Sequence, residues 1–174
     1  NGSGHGALAG VLVELGVDVT YYIPERDEGY GMNESAIRKL CEEGTGLILT
    51  VDNGITALKE SELIYELGMR LVVTDHHQTL EELPRAEAVV DPHRSDCPSP
   101  YKKYCGAGIA LMLVAALNDG DYTIAMEAFA ELAAIATVAD VVELSGENRF
   151  LVQRGLMYLA NTERPGLLAL MEKS

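Results

Sequence analysis

Two short runs limit what this chain can become. Leu47-Ile48-Leu49-Thr50-Val51 and Leu71-Val72-Val73-Thr74 are apolar, rich in β-branched residues and of strand length. Each stops abruptly at ionisable residues, the first at Asp52-Asn53-Gly54 and the second at Asp75-His76-His77. Between them, Thr56 to Leu67 reads as a helix closed by Gly68. Strand, helix, strand at this spacing predicts a parallel pair, and open parallel sheets gather their chemistry at the carboxyl ends of the strands. Taken singly, an Asp at a strand end reads as a turn or capping residue, and a single His as a structural one. Adjacent histidines in a strand point to opposite faces, so both reach one site only where the strand breaks into a loop. Gln78 to Pro84, with no strand pattern, allows that. The tips of the two strands together would make a hard-donor metal cluster.

The remaining pattern extends this picture. His5 to Leu15 has helical spacing and Gly16 stops it; Val17 to Ile23 alternates as a strand; Asn33, with Ser35 competing, caps a helix to about Cys41. Ala88-Val89-Val90 is a further strand, ended by Asp91-Pro92. Residues 92–105 form a loop. Helices are expected over Ala107–Leu117, Ile124–Val138, Asn148–Ala160 and Pro165–Met171, with Pro165 suited to a first helical position. The predicted class is α/β: an open parallel β-sheet with helices on both faces, followed by a mainly helical C-terminal part.

Length and charge narrow the function. With 174 residues, 48% apolar, the chain can build one proper core. A formal charge of −14 argues against a nucleic-acid coat or a membrane-surface role, though not against phosphates held through metal ions. No apolar run is expected to reach the length of a membrane span, Ala7 to Leu15 being too short and interrupted by glycine, and no signal peptide is visible. Three cysteines without metal-type spacing suit a reducing cytoplasm.

Thr74-Asp75-His76-His77 resembles the motif that names the DHH phosphoesterases. Five further blocks follow the family in order: Tyr22-Ile23-Pro24-Glu25-Arg26 with Glu28-Gly29-Tyr30-Gly31, then Thr50 to Ile55, Gly106 to Ala110, Ala134 to Val142, and Gly146-Glu147-Asn148-Arg149. Together they resemble the RecJ-like branch, exonucleases specific for single strands. Asn53, Ala136 and Glu143 stand where that family often has Cys, Gly and Pro; Ala136 therefore requires an ordinary helical φ. The family's first motif, a strand ending Asp-x-Asp-x-Gly, would fall just before Asn1, and its DHHA1 domain after residue 174. The resemblance thus makes residues 1–174 the DHH domain of a longer enzyme, and alone they are expected to bind at most one ion weakly and to lack nuclease activity.

The resemblance also implies roles. Asp52 would bridge two divalent cations; His76 and Asp140 would be further ligands. His77 would face the scissile phosphate as a donor or acid, and Asp75 would orient an imidazole. Mixed oxygen and nitrogen donors favour Mn²⁺, with Mg²⁺ as the alternative. Arg26, Tyr30 and Arg149 are candidates for contact with single-stranded DNA, Arg94, Lys102 and Lys103 weaker ones, and the Gly106-Ala107-Gly108 turn could hold a phosphate at a helix start. His93 reads as a solvated loop residue. The implied activity is 5′→3′ degradation of single-stranded DNA in repair and recombination, by a monomeric cytoplasmic protein that could meet other repair proteins. Two other readings remain open: a phosphoesterase for short oligonucleotides, cyclic dinucleotides or pyrophosphate, and an inert DHH-derived binding scaffold.

Overall fold

The computed structural model describes residues 2–24 and 31–173. Ten elements follow in order: α1 (Gly2–Glu14), α2 (Glu34–Glu42), β1 (Leu47–Val51), α3 (Leu58–Glu66), β2 (Arg70–Thr74), β3 (Ala88–Val90), α4 (Gly106–Leu117), α5 (Tyr122–Ala139), α6 (Gly146–Leu159) and α7 (Pro165–Met171). The three strands form one parallel sheet in the order β1-β2-β3. Val51 pairs with Thr74 and Thr74 with Val90, so the strands end level with one another.

The period-2 alternation of the strands decides what lies on each face. Leu49 and Val51 point to a core shared with Leu8 and Val11 of α1, Leu111 and Val114 of α4, and Ala130 and Ala133 of α5. Ile48, Leu71 and Val73 point the other way, to Ile37 of α2 and Ile64 of α3. Helices therefore cover both faces, as the pattern predicts. Leu71, Val73, Ile64 and Val114 are completely buried; full burial of a side chain of this size contributes roughly 1.5–3 kcal/mol.

Local signals explain the helix ends. Gly16, Gly44 and Gly68 take φ of 81°, 86° and 79°, the left-handed turn a glycine adopts without penalty. In each case the next residue's N–H reaches back to a carbonyl five residues earlier, as Val17 does to Leu12. Asn33 caps α2 by accepting from the Ala36 N–H at 2.8 Å, and Ser35 donates to that same Asn33 oxygen. Thr56 does not cap α3: Ala57 occupies the N-cap position, without a side-chain hydrogen bond. Ala136 lies inside α5 with an ordinary φ.

Two further expectations are corrected. Val17–Ile23 is not a strand; Val17, Tyr21 and Ile23 are exposed. Alternation marks a fit to a pleated, half-covered surface, and no strand among the described residues pairs with this segment. The second concerns α5, whose 18 residues are long and apolar enough to cross a membrane by length and composition. Here it is a core helix, with Ala125, Ala130, Ala133, Ala134 and Ala136 buried. Gly155 of α6 meets it so closely that an added Cβ would lie 2.3 Å from both the Ala130 carbonyl oxygen and the Ala134 methyl.

Candidate metal centre

Parallel pairing continues one residue past the strands. The Asp52 N–H donates to the Thr74 carbonyl and the Asp75 N–H to the Val90 carbonyl, both at 3.0 Å. Just beneath, Thr74 Oγ1 donates to the Thr50 carbonyl at 2.6 Å, and both threonines are buried. The three strand tips thus present Asp52, Asp75 and Asp91 side by side. Asp52 then turns the chain sharply, with φ 65°, a conformation aspartate tolerates better than most residues. Gly54 follows at φ 105°, where a Cβ would lie 2.9 Å from Thr50 Oγ1.

His76 gathers the carboxylates. Its Nε2 lies 3.0 Å from Asp52 Oδ1 and 3.3 Å from Asp140 Oδ2. Asp140 arrives from the opposite direction, as the C-cap of α5, where the negative end of the helix dipole favours a cation. His76 Nε2 and Asp140 Oδ2 are buried without an aligned hydrogen bond, which suits lone pairs aimed at a shared ion. Asp52, His76 and His77 each offer one ligand atom within 4.8 Å of the others. Burial works to lower the His76 pKa. The close contact with the Asp52 carboxylate and the charges of Asp140 and Asp75 outweigh that, and the pKa is raised. A cation would replace this proton with a stronger positive charge, so the donor set fits a divalent metal.

Asp75 has a different task. It is 1% exposed and fully engaged: Oδ2 accepts from the Ile55 N–H at 2.9 Å, and Oδ1 accepts from the His76 N–H at 2.8 Å and the His77 N–H at 3.3 Å. Oδ1 also stands 2.6 Å from His77 Nδ1, which fixes that ring with Nε2 outward. The two imidazoles lie 4.5 Å apart between centroids.

Gly106 sits against the cluster. A Cβ there would fall 2.3–2.4 Å from Oδ1, Cβ and Cγ of Asp52, so the start of α4 abuts the Asp52 side chain. The Gly108 N–H donates to Cys105 Sγ at 3.4 Å, and burial raises the pKa of that thiol. The Gly146–Arg149 block clamps the loop ahead of α4: Asn148 Nδ2 donates to the Lys103 and Glu143 carbonyls at 2.6 and 3.0 Å, and Tyr104 pairs with Glu147. Arg149 itself is exposed. Arg26 and Tyr30 lie outside the described residues. Of the weaker candidates, Arg94 is tied to Asp96 at 2.6 Å, Lys102 donates to the Cys97 carbonyl at 2.8 Å, and Lys103 pairs with Glu143.

His93 is the residue the sequence reading misplaced. It is half-buried rather than solvated, with its N–H donating to Asp91 Oδ1 at 2.7 Å and Nδ1 3.6 Å from that oxygen. Asp91 is itself buried, which pushes its carboxyl up against the hydrogen bond from His93. A signal was present: Asp91-Pro92-His93 follows a β-branched run just as Asp75-His76-His77 does.

Fold and site together define a parallel α/β domain with an aspartate–histidine centre across its strand tips. A model of the DHH family N-terminal domain matches residues 3–137, and the chain belongs to the DHH family. It is similar to the single-stranded-DNA-specific exonuclease RecJ of Bacillus subtilis, 43% identical over 94% of this chain and 20% of that protein. The RecJ of Thermus thermophilus is 38% identical over 98% of this chain and 25% of its own length. A crystal structure of exonuclease RecJ bound to manganese superposes with a TM-score of 0.85 at 37% identity, covering 98% of this chain and 44% of that one. RecJ from T. thermophilus in complex with Mn²⁺ gives 0.78 at 34% identity, covering 98% and 24%. The same enzyme with Mg²⁺ gives 0.61 at 31%, covering 98% and 20%. The chain spans between 20% and 30% of the length of the curated relatives it matches.

Proposed function

We propose that this chain is the DHH domain of a metal-dependent exonuclease that degrades single-stranded DNA from its 5′ end, with Asp52, His76 and Asp140 holding Mn²⁺ or, less favourably, Mg²⁺. The observation that carries the reading is His76 Nε2, buried between carboxylates at 3.0 and 3.3 Å. Bound divalent cations would neutralise the phosphoryl oxygens and assist the departing alkoxide. The chain's own residues do the rest. Asp75, which accepts from three backbone N–H groups, also faces His77 Nδ1 at 2.6 Å and holds that ring in one orientation. His77, 45% exposed in its side chain, presents Nε2 to the substrate and donates a hydrogen bond or proton to the leaving oxygen. The relatives named as single-stranded-DNA-specific exonucleases, one of them solved both with Mn²⁺ and with Mg²⁺, support this substrate and these ions. Three free cysteines fit a cytoplasmic setting, and a role in DNA repair and recombination follows from the activity.

The test uses the full-length protein. Asp52→Ala and Asp52→Asn should abolish Mn²⁺-dependent cleavage of a 5′-labelled single strand while the fold persists. A variant retaining a tenth of wild-type turnover, about 1.4 kcal/mol in barrier, sinks the ligand assignment. His76→Ala should be partly rescued by excess Mn²⁺ and His77→Ala should not. A second reading has one observation in its favour: the charge of −14 suits small phosphodiesters better than a long polyanion. Faster cleavage of dinucleotides than of the long strand would favour it.

A further inference from the structure

The third strand tip repeats the second. At β2, Asp75 Oδ1 accepts from the N–H of His77, two residues on, and faces that ring's Nδ1. At β3, Asp91 Oδ1 accepts from the N–H of His93, also two residues on, and stands 3.6 Å from its Nδ1. Thr74 and Val90 are register partners, so the two Asp-x-His units follow adjacent strands, whose backbones run about 4.8 Å apart. Both rings turn Nδ1 to their own carboxylate and therefore Nε2 away from it. The Asp91 side chain is fully buried and that of His93 is 26% exposed, which is a rooted base under an accessible imidazole edge. Pro92, also buried, fixes the turn between them.

Resting on the phosphodiesterase reading above, we infer that His93, backed by Asp91, binds the substrate phosphate next to the one at the Asp52–His76–Asp140 centre. His77 lies between that centre and His93 in the strand order, so a strand whose scissile phosphate meets His77 runs its neighbouring phosphate along the row to β3. The other cations of this loop are engaged elsewhere: Arg94 is held by Asp96, Lys102 by the Cys97 carbonyl and Lys103 by Glu143. An imidazole edge can donate a hydrogen bond to a phosphate oxygen, and the Asp91 carboxylate, 3.6 Å from Nδ1, supplies negative charge on the far side of the ring. His93 is thus a positioning residue; it touches no reacting atom.

The experiment compares two substrates in the full-length protein with Mn²⁺: a 5′-phosphorylated single strand, and bis(p-nitrophenyl) phosphate, which has one phosphodiester and no neighbour. His93→Ala should raise KM for the strand about tenfold, the equivalent of one charge-assisted hydrogen bond, and leave kcat within about twofold. On bis(p-nitrophenyl) phosphate it should change nothing. His93→Gln, which keeps a donor at similar reach, should recover part of the KM. Equal losses on both substrates, with a lowered melting temperature, would assign His93 a purely structural role and overturn the inference. So would unchanged kinetics on both. If wild-type protein cleaves neither substrate, the phosphodiesterase reading fails first and this inference falls with it.

Discussion

Gly106→Ala is the substitution from which the geometry of the centre can be read most directly. The added methyl would lie 2.4 Å from Cβ and Cγ of Asp52, whereas ordinary contact begins at 3.4 Å. Either the first turn of α4 or the Asp52 turn must retreat by about 1 Å. Neither can do so cheaply. Asp52 is held at φ 65° with its N–H on the Thr74 carbonyl, and every other residue of the first turn of α4 is buried as well. Overpacking of this kind costs roughly 1–3 kcal/mol, or a drop in melting temperature of about 3–10 °C for a chain of this size. The effect on the site is larger. A 1 Å displacement of a positioning group costs on the order of 100-fold in rate, and Mn²⁺ affinity should fall with it. Thermal melting and calorimetric Mn²⁺ titration of the chain, with strand cleavage by the full-length protein, measure all three. Gly108→Ala is the control: its methyl would meet only the Tyr104 side chain, at 3.2 Å from the ring and 3.5 Å from Cβ, and should have a small effect. If Gly106→Ala keeps wild-type metal affinity, Asp52 is not a ligand held against α4, and the donor set proposed above is wrong.

Other consequences can be measured independently. Val141, next to Asp140, has φ 56° and is 88% exposed, so Val141→Gly should remove about 1 kcal/mol of backbone strain and raise the melting temperature; a fall would mean that the valine packs in solution. Gly155→Ala should push α6 off α5 and destabilise the chain by roughly 2–3 kcal/mol in chemical denaturation, and a neutral result would refute the close crossing. The His76 pKa is raised in the metal-free fold, so its contribution to stability is fully present below the unfolded value of about 6.5 and is lost as pH rises through the folded one. Metal-free wild-type protein should therefore exceed His76→Ala in stability by more at pH 6 than at pH 9, while Mn²⁺ affinity rises over the same interval as the competing proton leaves. A stability gap that widens with pH would contradict the carboxylate environment of His76.

Local chemistry determined a good deal of this molecule. The β-branched runs, the closing glycines at 16, 44 and 68, the Asn33 cap and Pro165 at a helix start act over a few residues, and each does in the fold what its residue type dictates. The candidate ligands were also legible, because Asp52 and Asp75-His76-His77 end apolar runs and Asp140 interrupts one. Packing decided the rest. Val17–Ile23 has strand character and no strand, since a ladder needs a neighbour that no local pattern can supply. Gly106 looks like a helix start open to a phosphate; only the approach of β1 to α4 shows its Cα against the Asp52 carboxylate. His93 looked solvated until the register of β3 on β2 aligned Asp91 with Asp75. Propensity, capping and turn formation depend on neighbours in the chain, whereas which strand tips lie side by side, and which helix end closes over them, depends on burying both faces of one sheet at once.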